Sequence, residues 1–568
     1  MSKLESLIIK EVDNSSDWFK KAVAYQIYPK SFKDSNNDGV GDIRGIIEKL
    51  DYIKNLGVDV IWLTPIYVSP QNDNGYDIAD YYNIDPLFGT MEDFEELLKK
   101  VHEKGMKLIT DMVVNHTSIE HKWFKEALKG EDNPYHDFYI WKKVDGENPP
   151  NNWVSKFGGS AWKYVEHLDK YYLHLFDVTQ ADLNWENPKL REEIYKMINF
   201  WLEKGIDGFR LDVINLLSKD QSFPNDTFES SNHDGRRFYT DGFKIHEYIH
   251  EINKNTFSKY KGSMTVGEMS STSIDHCIKY TRPENEELSM TFSFHHLKVD
   301  YPNGEKWALG KFNFMKLKKL LFDWQLGMQE GGGWNAMFWC NHDQPRIVSR
   351  FGNDKKYHRE SATMLATSIH LMQGTPYIYQ GEEIGMTNAG FESIEQYRDI
   401  EAINAYNMIL EKGISKSEAI EILKNKSRDN SRTPMQWDPS ENGGFTNVKP
   451  WMDLSYNYKD INVEKDLSSE NSIYKYYRKL ADIRKSSKII SHGRIDALLE
   501  DHDKVLAYKR EFEGEEIIVI CNFFDFEVKI ELKEFDLSGS EIILNNYIDA
   551  KLSDEINLRP YEALAIKL

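Results

Sequence analysis

Short runs rich in Val, Ile and Tyr recur along the chain at residues 23–29, 59–65, 107–115, 208–213, 264–268, 288–294, 336–342 and 376–380. Between them, apolar positions return at helical spacing, for example over 91–104, 188–204, 313–327 and 358–372. Eight strands alternating with helices predict an α/β chain whose core is a parallel (β/α)8 TIM barrel. After a last helix near 474–485 the pattern becomes short and alternating, at 505–509, 516–522, 528–532 and 563–568. That change predicts a C-terminal antiparallel β-sandwich. The stretch between the third and fourth strands is too long for an ordinary βα loop and predicts a small inserted lobe. The expected domains are therefore a barrel over 1–116 and 187–486, a lobe over 117–186, and a β domain over 487–568.

One strand breaks the apolar pattern. Arg210 and Asp212 sit inside the run Gly208-Phe209-Arg210-Leu211-Asp212-Val213. Side chains two apart share a strand face, and burying both charges is costly unless they are paired or used. A core ion pair would satisfy that condition. Three further strands also deliver polar groups to their C-terminal ends: His116 after the third, Glu268 on the fifth and Asp343 on the seventh. Barrels carry their chemistry on that rim, so Asp212 is read as functional.

Composition narrows the partners. A formal charge of −21 argues against nucleic acid and against an anionic membrane. An anionic substrate would need a locally basic pocket. Cys277, Cys340 and Cys521 lie far apart, which fits a reducing compartment and no disulfide framework. The N-terminal segment has no export-length apolar run, and no stretch reaches the roughly 20 apolar residues of a membrane helix. A cytoplasmic protein is expected, with its oligomeric state left open.

The first loop, Asp34-Ser35-Asn36-Asn37-Asp38-Gly39-Val40-Gly41-Asp42, places hard oxygen donors at alternate positions with a glycine at the turn. Asp34, Asn36, Asp38, the Val40 carbonyl and Asp42 are candidate ligands for a structural Ca²⁺ or Mg²⁺. The bidentate Glu of an EF-hand is missing, since Gly45 stands there, and an Asx-rich turn without metal is the other reading. The lobe is rich in aromatic residues (Trp123, Tyr139, Trp141, Trp153, Trp162, Tyr171, Tyr172, Trp185). Such faces suit sugar rings, although much of the set must form the lobe's own core.

Four segments together resemble the signature regions of the α-amylase family of glycoside hydrolases: Asp111-Met112-Val113-Val114-Asn115-His116, Gly208-Phe209-Arg210-Leu211-Asp212, Val266-Gly267-Glu268 and Asn341-His342-Asp343. The likeness spans nearly the whole chain. It implies a retaining mechanism, with Asp212 as nucleophile, Glu268 as acid/base and Asp343 stabilising the distorted transition state. It also implies that Arg210 orients Asp212, and that His116 and His342 hold hydroxyls of one glucose. Asp73, Tyr76 and Arg432 would close the non-reducing end, so that a single terminal glucose is removed. No cofactor is implied for catalysis.

Within the family, Gln180-Ala181-Asp182-Leu183-Asn184-Trp185 and Val213 are similar to the oligo-1,6-glucosidase group. A closer likeness is to the branch that hydrolyses α,α-trehalose 6-phosphate, carried by residues 218–226, 234–242, 267–273 and 294–307. The last of these follows the sixth strand, so it lies on the catalytic rim. His295, His296, Lys298 and Lys306 would form a cation patch there, with Lys298 as the point charge for a phosphate on the leaving sugar. The expected partner is thus a small phosphorylated disaccharide. The rivals are neutral isomalto-oligosaccharides as substrate, a non-catalytic binding relative, which would lack a carboxylate, and a sucrose isomerase, whose Arg-Leu-Asp-Arg-Asp loop is absent.

Overall fold

The computed structural model describes residues 17–143, 148–229, 232–550, 552 and 555–568. The first 16 residues, part of the segment read for export signals, lie outside that set. Eight strands form one sheet: Ala24–Ile27, Val60–Leu63, Lys107–Val113, Gly208–Asp212, Met264–Glu268, Met290–Phe292, Ala336–Met337 and Thr375–Tyr379. Each is paired in parallel with the next from the first to the sixth, and the eighth pairs with both the first and the seventh. A parallel bridge from Thr291 to Asn335 closes the ring between the sixth and seventh. The expected barrel is present, and all eight strands fall on the predicted runs.

The seventh strand is the exception in length. The sequence predicts residues 336–342, whereas pairing stops at Met337, and Asp343 is carried on the loop beyond it. Just beyond the paired residues, Phe338 packs against Phe292 and Trp339 against Phe351.

Helix boundaries follow local signals. Met91–Glu103 opens on a Thr90–Asp93 capping box, and Pro188–Glu203 has Asn187 as its cap and proline in its first turn. Their apolar stripes, Phe94, Leu97, Leu98 and Val101 in one and Leu190, Ile194, Ile198 and Trp201 in the other, are buried.

The lobe is rooted by antiparallel pairing of His116–Ser118 with Gln180–Asp182, over a buried Lys219–Asp182 ion pair of 3.0 Å. Its remaining sheet joins Trp141–Lys142, Lys170–Leu173 and Trp162–Val165. Trp123, Tyr139, Trp153, Trp162, Tyr171, Tyr172 and Trp185 are all buried. These aromatics build the lobe's interior, so they do not present faces to sugar.

At the C-terminus, Arg494–Leu498, Val505–Phe512, Glu515–Asn522, Ala563–Lys567 and Glu541–Asn545 form a five-stranded antiparallel sheet. Val528–Glu531 pairs with Glu555–Leu558 as a second layer. Val505, Ala507, Ile518 and Ile520 of the first sheet share one core with Val528, Ile530, Ile556 and Leu558 of the second. The alternate residues Leu506, Tyr508, Val519 and Cys521 join the barrel's core, as a two-residue side-chain period requires.

Candidate active site

The fourth and fifth strands approach closely at their start. Gly208 has φ +143°, and a Cβ there would meet the Met264 carbonyl oxygen at 1.8 Å. Only glycine fits this approach. Two residues further on, Arg210 becomes the hub of the rim. Its Nη1 donates to Asp212 Oδ1 at 2.5 Å, its Nη2 reaches Glu268 Oε2 at 2.8 Å, and Asp111 accepts from the same guanidinium. All four side chains are buried. Two carboxylates on one guanidinium fork lie close together, as a retaining glycosidase needs.

Their environments divide the labour. Burial lifts Asp212 to about 6, against the pull of Arg210. Burial lifts Glu268 to about 8, with Arg210 opposing and the negative charges of Asp212 and Asp343 adding to the rise. At neutral pH Asp212 is therefore mostly ionised and Glu268 mostly protonated, the charge states that a nucleophile and a general acid would each require. Val213 follows the nucleophile at φ +36°, a conformation that a β-branched residue adopts only under constraint. Its N–H donates to Glu268 Oε2 at 3.1 Å, so the strained turn also orients the acid.

A second cluster gathers around Asp343. Arg432 Nη2 donates to Asp343 Oδ1 at 2.8 Å, and its Nε donates to the His342 carbonyl at 2.9 Å. Arg428 Nη1 donates to the same Asp343 oxygen at 3.2 Å, its Nη2 donates to Asp73 Oδ1 at 3.2 Å, and it also pairs with Asp399 and Glu401. Burial raises the Asp343 carboxyl, but His342, Arg428, Arg432 and Arg210 together hold it well below the usual range. Burial lifts Asp73 to about 7 despite both arginines. Arg428 and Asp399 are not among the residues the sequence predicts for this site, where Arg432 alone represents its stretch of chain. The Arg-x-x-x-Arg spacing, one helical turn, was the available signal.

Tyr76 stacks on His342 with centroids 5.2 Å apart and planes 2° apart, and its hydroxyl donates to Asp111 at 3.2 Å. His116 Nε2 lies 3.2 Å from the Tyr76 carbonyl and 3.2 Å from Gln180 Nε2. Burial pushes His116 down to about 4 and His342 down to about 3, so both are neutral at pH 7. His342 Nε2 and Arg432 Nη1 are buried without a hydrogen bond among the described residues, although they lie 3.2 Å from Asp343 Oδ2 and 3.6 Å from Asp399 Oδ1. Such groups are suited to sugar hydroxyls. Two aromatics that were not singled out also line this region: Phe176 beside His116 at 5.1 Å, and Phe157 under Arg428 at 5.2 Å.

The stretch after the sixth strand differs from a four-membered cation patch. His295 Nδ1 bonds Ser293 Oγ at 3.0 Å, and His296 Nε2 bonds the Phe338 carbonyl at 3.0 Å. Burial pushes both imidazoles down to about 4, so they are neutral donors or acceptors at pH 7. Lys306 Nζ is paired with both oxygens of Glu401 at 2.6 Å. Lys298 is half-buried, and the charged groups acting on it are other cations, Arg236 and Lys306.

In the first loop the carboxylates accept from amides of non-acidic residues and from neighbouring side chains. Asp34 accepts from the amides of Asn36, Asn37 and Gly39 and from Thr446 Oγ1. Asp38 accepts from Val40 N and from Asn36 Nδ2. Asp42 caps the helix Ile43–Glu48 through Gly45 N at 2.7 Å and accepts from Ser35. Among the described residues no three His, Cys, Asp or Glu side chains are gathered as a metal-binding group. No described helix is long and apolar enough to cross a membrane.

Comparison with known proteins agrees with this geometry. Residues 26–493 match the family described as alpha amylase, catalytic domain, and residues 495–563 match the maltogenic amylase C-terminal domain. The chain is 58% identical to the trehalose-6-phosphate hydrolase of Bacillus subtilis, over 97% of this chain and 98% of that one. It is 50% identical to an oligo-1,6-glucosidase of Bacillus cereus, over 97% and 99% respectively. The crystal structure of Bacillus licheniformis trehalose-6-phosphate hydrolase superposes with a TM-score of 0.92 at 58% identity, over 97% of this chain and 99% of that one. With a family model matched over most of its length and relatives of this identity, the chain belongs to the alpha-amylase family of glycoside hydrolases.

Proposed function

We propose that this protein hydrolyses α,α-trehalose 6-phosphate to glucose and glucose 6-phosphate, with retention at the cleaved anomeric centre. The unphosphorylated glucose lies on the floor made by Asp73, Tyr76, Asp343, Arg428 and Arg432. His116 and His342 hold its hydroxyls. The Asp212 carboxylate attacks the anomeric carbon while Glu268 gives its proton to the glycosidic oxygen, releasing glucose 6-phosphate. Glu268, now ionised, takes a proton from water, and the resulting hydroxide displaces Asp212 from the sugar. Arg210 keeps both carboxylates in register throughout.

The observation that carries the substrate is Lys298. It is a half-buried cation on the leaving-group side whose charged neighbours are themselves cations. A phosphate would be its counter-charge, with His295 and His296 as neutral hydrogen-bond partners and Lys306 at the edge of the site. The relatives named trehalose-6-phosphate hydrolase support this reading. Those named oligo-1,6-glucosidase supply its rival. Initial rates on trehalose 6-phosphate, trehalose and isomaltose decide between them, and faster cleavage of isomaltose than of trehalose 6-phosphate would overturn the assignment. A cytoplasmic site of action belongs with this substrate, because a sugar phosphate does not cross membranes unaided.

A structural Ca²⁺ or Mg²⁺ in the loop Asp34–Asp42 rests on the alternation of oxygen ligands in the sequence. Metal analysis of dialysed protein tests it, with less than one equivalent bound as the negative result.

A further inference from the structure

We propose that Lys156 of the inserted lobe and Arg236 of the loop after the fourth strand complete a phosphate site with Lys298. This inference rests on the trehalose 6-phosphate reading above, and it assigns the leaving sugar's phosphate to residues from three separate segments.

Lys156 is placed beside the catalytic acid. Its Nζ donates to Ser270 Oγ at 2.9 Å, two residues after Glu268, and the Ser270 amide is fixed by Asn215 Oδ1 at 3.1 Å. The ammonium lies 5.9 Å from the centroid of Phe176 and 5.5 Å from that of Tyr239. Phe176 in turn touches His116 of the glucose pocket. The Lys156 backbone is held as well, its N–H donating to the Leu175 carbonyl at 2.9 Å. Lys156 therefore stands at the boundary between the glucose that is cleaved off and the group that leaves.

Charge bookkeeping makes this arrangement unusual. The charged groups acting on Lys156 are Arg236, Lys298, Asp234 and Glu268. Arg236 pairs with Asp234 at 3.1 Å, and its Nε is buried without a hydrogen bond among the described residues. Glu268 is protonated at neutral pH, as argued above. With Lys156 protonated, three cations act against one carboxylate, a surplus of up to two positive charges in a protein whose net charge is −21. Burial, with Arg236 and Lys298 adding, pushes Lys156 down to about 7, and burial, with Arg236 and Lys306 adding, pushes Lys298 down to about 8. A phosphate monoester brings a charge of about −1.5 to −2 at pH 7 and would balance the surplus. A neutral leaving sugar would leave the cations desolvated and uncompensated. The cluster therefore both favours the phosphorylated substrate and disfavours its neutral analogue.

The alternative is that Lys156 only ties the lobe to the fifth-strand loop through Ser270. Steady-state kinetics of Lys156→Met, Lys156→Arg and Arg236→Gln on trehalose 6-phosphate and on a neutral aryl α-glucoside separate the two. The ratio of the two kcat/KM values should fall about 100-fold in Lys156→Met, chiefly through KM for trehalose 6-phosphate. Inhibition of aryl glucoside hydrolysis by glucose 6-phosphate should weaken in parallel. Lys156→Arg should restore most of the ratio, and the half-exposed Arg236→Gln should lower it by about tenfold. Equal losses on both substrates, or an undisturbed ratio in both Lys156→Met and Arg236→Gln, would overturn the proposal. If the unmodified enzyme itself shows no preference for trehalose 6-phosphate, the substrate assignment fails first. If that preference exists and survives these substitutions, only the present inference fails.

Discussion

Raising the pH should switch the enzyme off through Glu268, and lowering it should do so through Asp212. Burial places Glu268 at about 8 and Asp212 at about 6, with Arg210 drawing both back. The competent form has Asp212 ionised and Glu268 protonated, so it dominates only between those values. With one proton lost or gained on each limb, kcat/KM should fall about tenfold from pH 7 to pH 9, and about tenfold again from pH 7 to pH 5. Both carboxyls share Arg210, so the two limbs report the cluster as a unit. The assay should use a neutral aryl α-glucoside, because a phosphate monoester titrates near pH 6 and would distort the acidic limb. Initial rates are read by quenching every sample to one alkaline pH before measuring the released phenol. A profile still flat at pH 9 would refute the reasoning, because it would require Glu268 to be something other than the buried acid described here.

Other expectations follow from the same clusters. Glu268→Gln should abolish most turnover yet raise Tm at pH 7. A carboxyl whose folded value lies above its unfolded 4.5 must take up a proton on folding at pH 7, which costs roughly 3 kcal/mol. That cost grows from pH 4.5 towards 8, so the gain should vanish in melts at about pH 4.5, and an equal gain at both pH values would contradict the sign. Lys298→Ala should weaken trehalose 6-phosphate turnover by about 2–5 kcal/mol in kcat/KM relative to the aryl glucoside, with equal losses pointing to a structural lysine. Arg428→Gln leaves Asp73, Asp343 and Asp399 with less compensation and should destabilise the fold by about 3–5 kcal/mol while weakening every glucoside, as denaturant melts and KM values will show.

What could be read from the sequence was what repeats or what sits in one segment. The barrel was legible because each strand is a compact apolar run and each helix carries its own cap, as at Thr90 and Asn187. Arg210 and Asp212 were legible because two charges inside such a run demand an explanation. Partner choice across the chain was not. Glu401 pairs with Lys306 across 95 positions, Arg428 pairs with Asp73 across 355, and Lys156 bonds Ser270 across 114. Nothing local marks Lys156 as different from the many solvated lysines. The division of the lobe's aromatics was not legible for a related reason: a Trp in a sugar pocket and a Trp in a core have the same sequence signature, and packing puts most of the set in the core, as expected, with Trp141 half-buried. The histidines after the sixth strand were read as cations, but burial holds them neutral.

The division between the two clusters explains how one family scaffold serves different glucosides. Arg210, Asp111, Asp212 and Glu268 are fixed by strand pairing and by the glycine contact at Gly208, so the reacting atoms cannot move without disturbing the barrel. Lys298, Lys306, Arg236 and Lys156 stand on loops and on the inserted lobe, where substitution costs little stability. Glu401 lies between them, holding Lys306 on one side and Arg428 of the glucose floor on the other. If the proposed phosphate site is right, a change of leaving group would need changes to loop charges alone. The catalytic pair would keep its geometry and its proton while selectivity shifts around it.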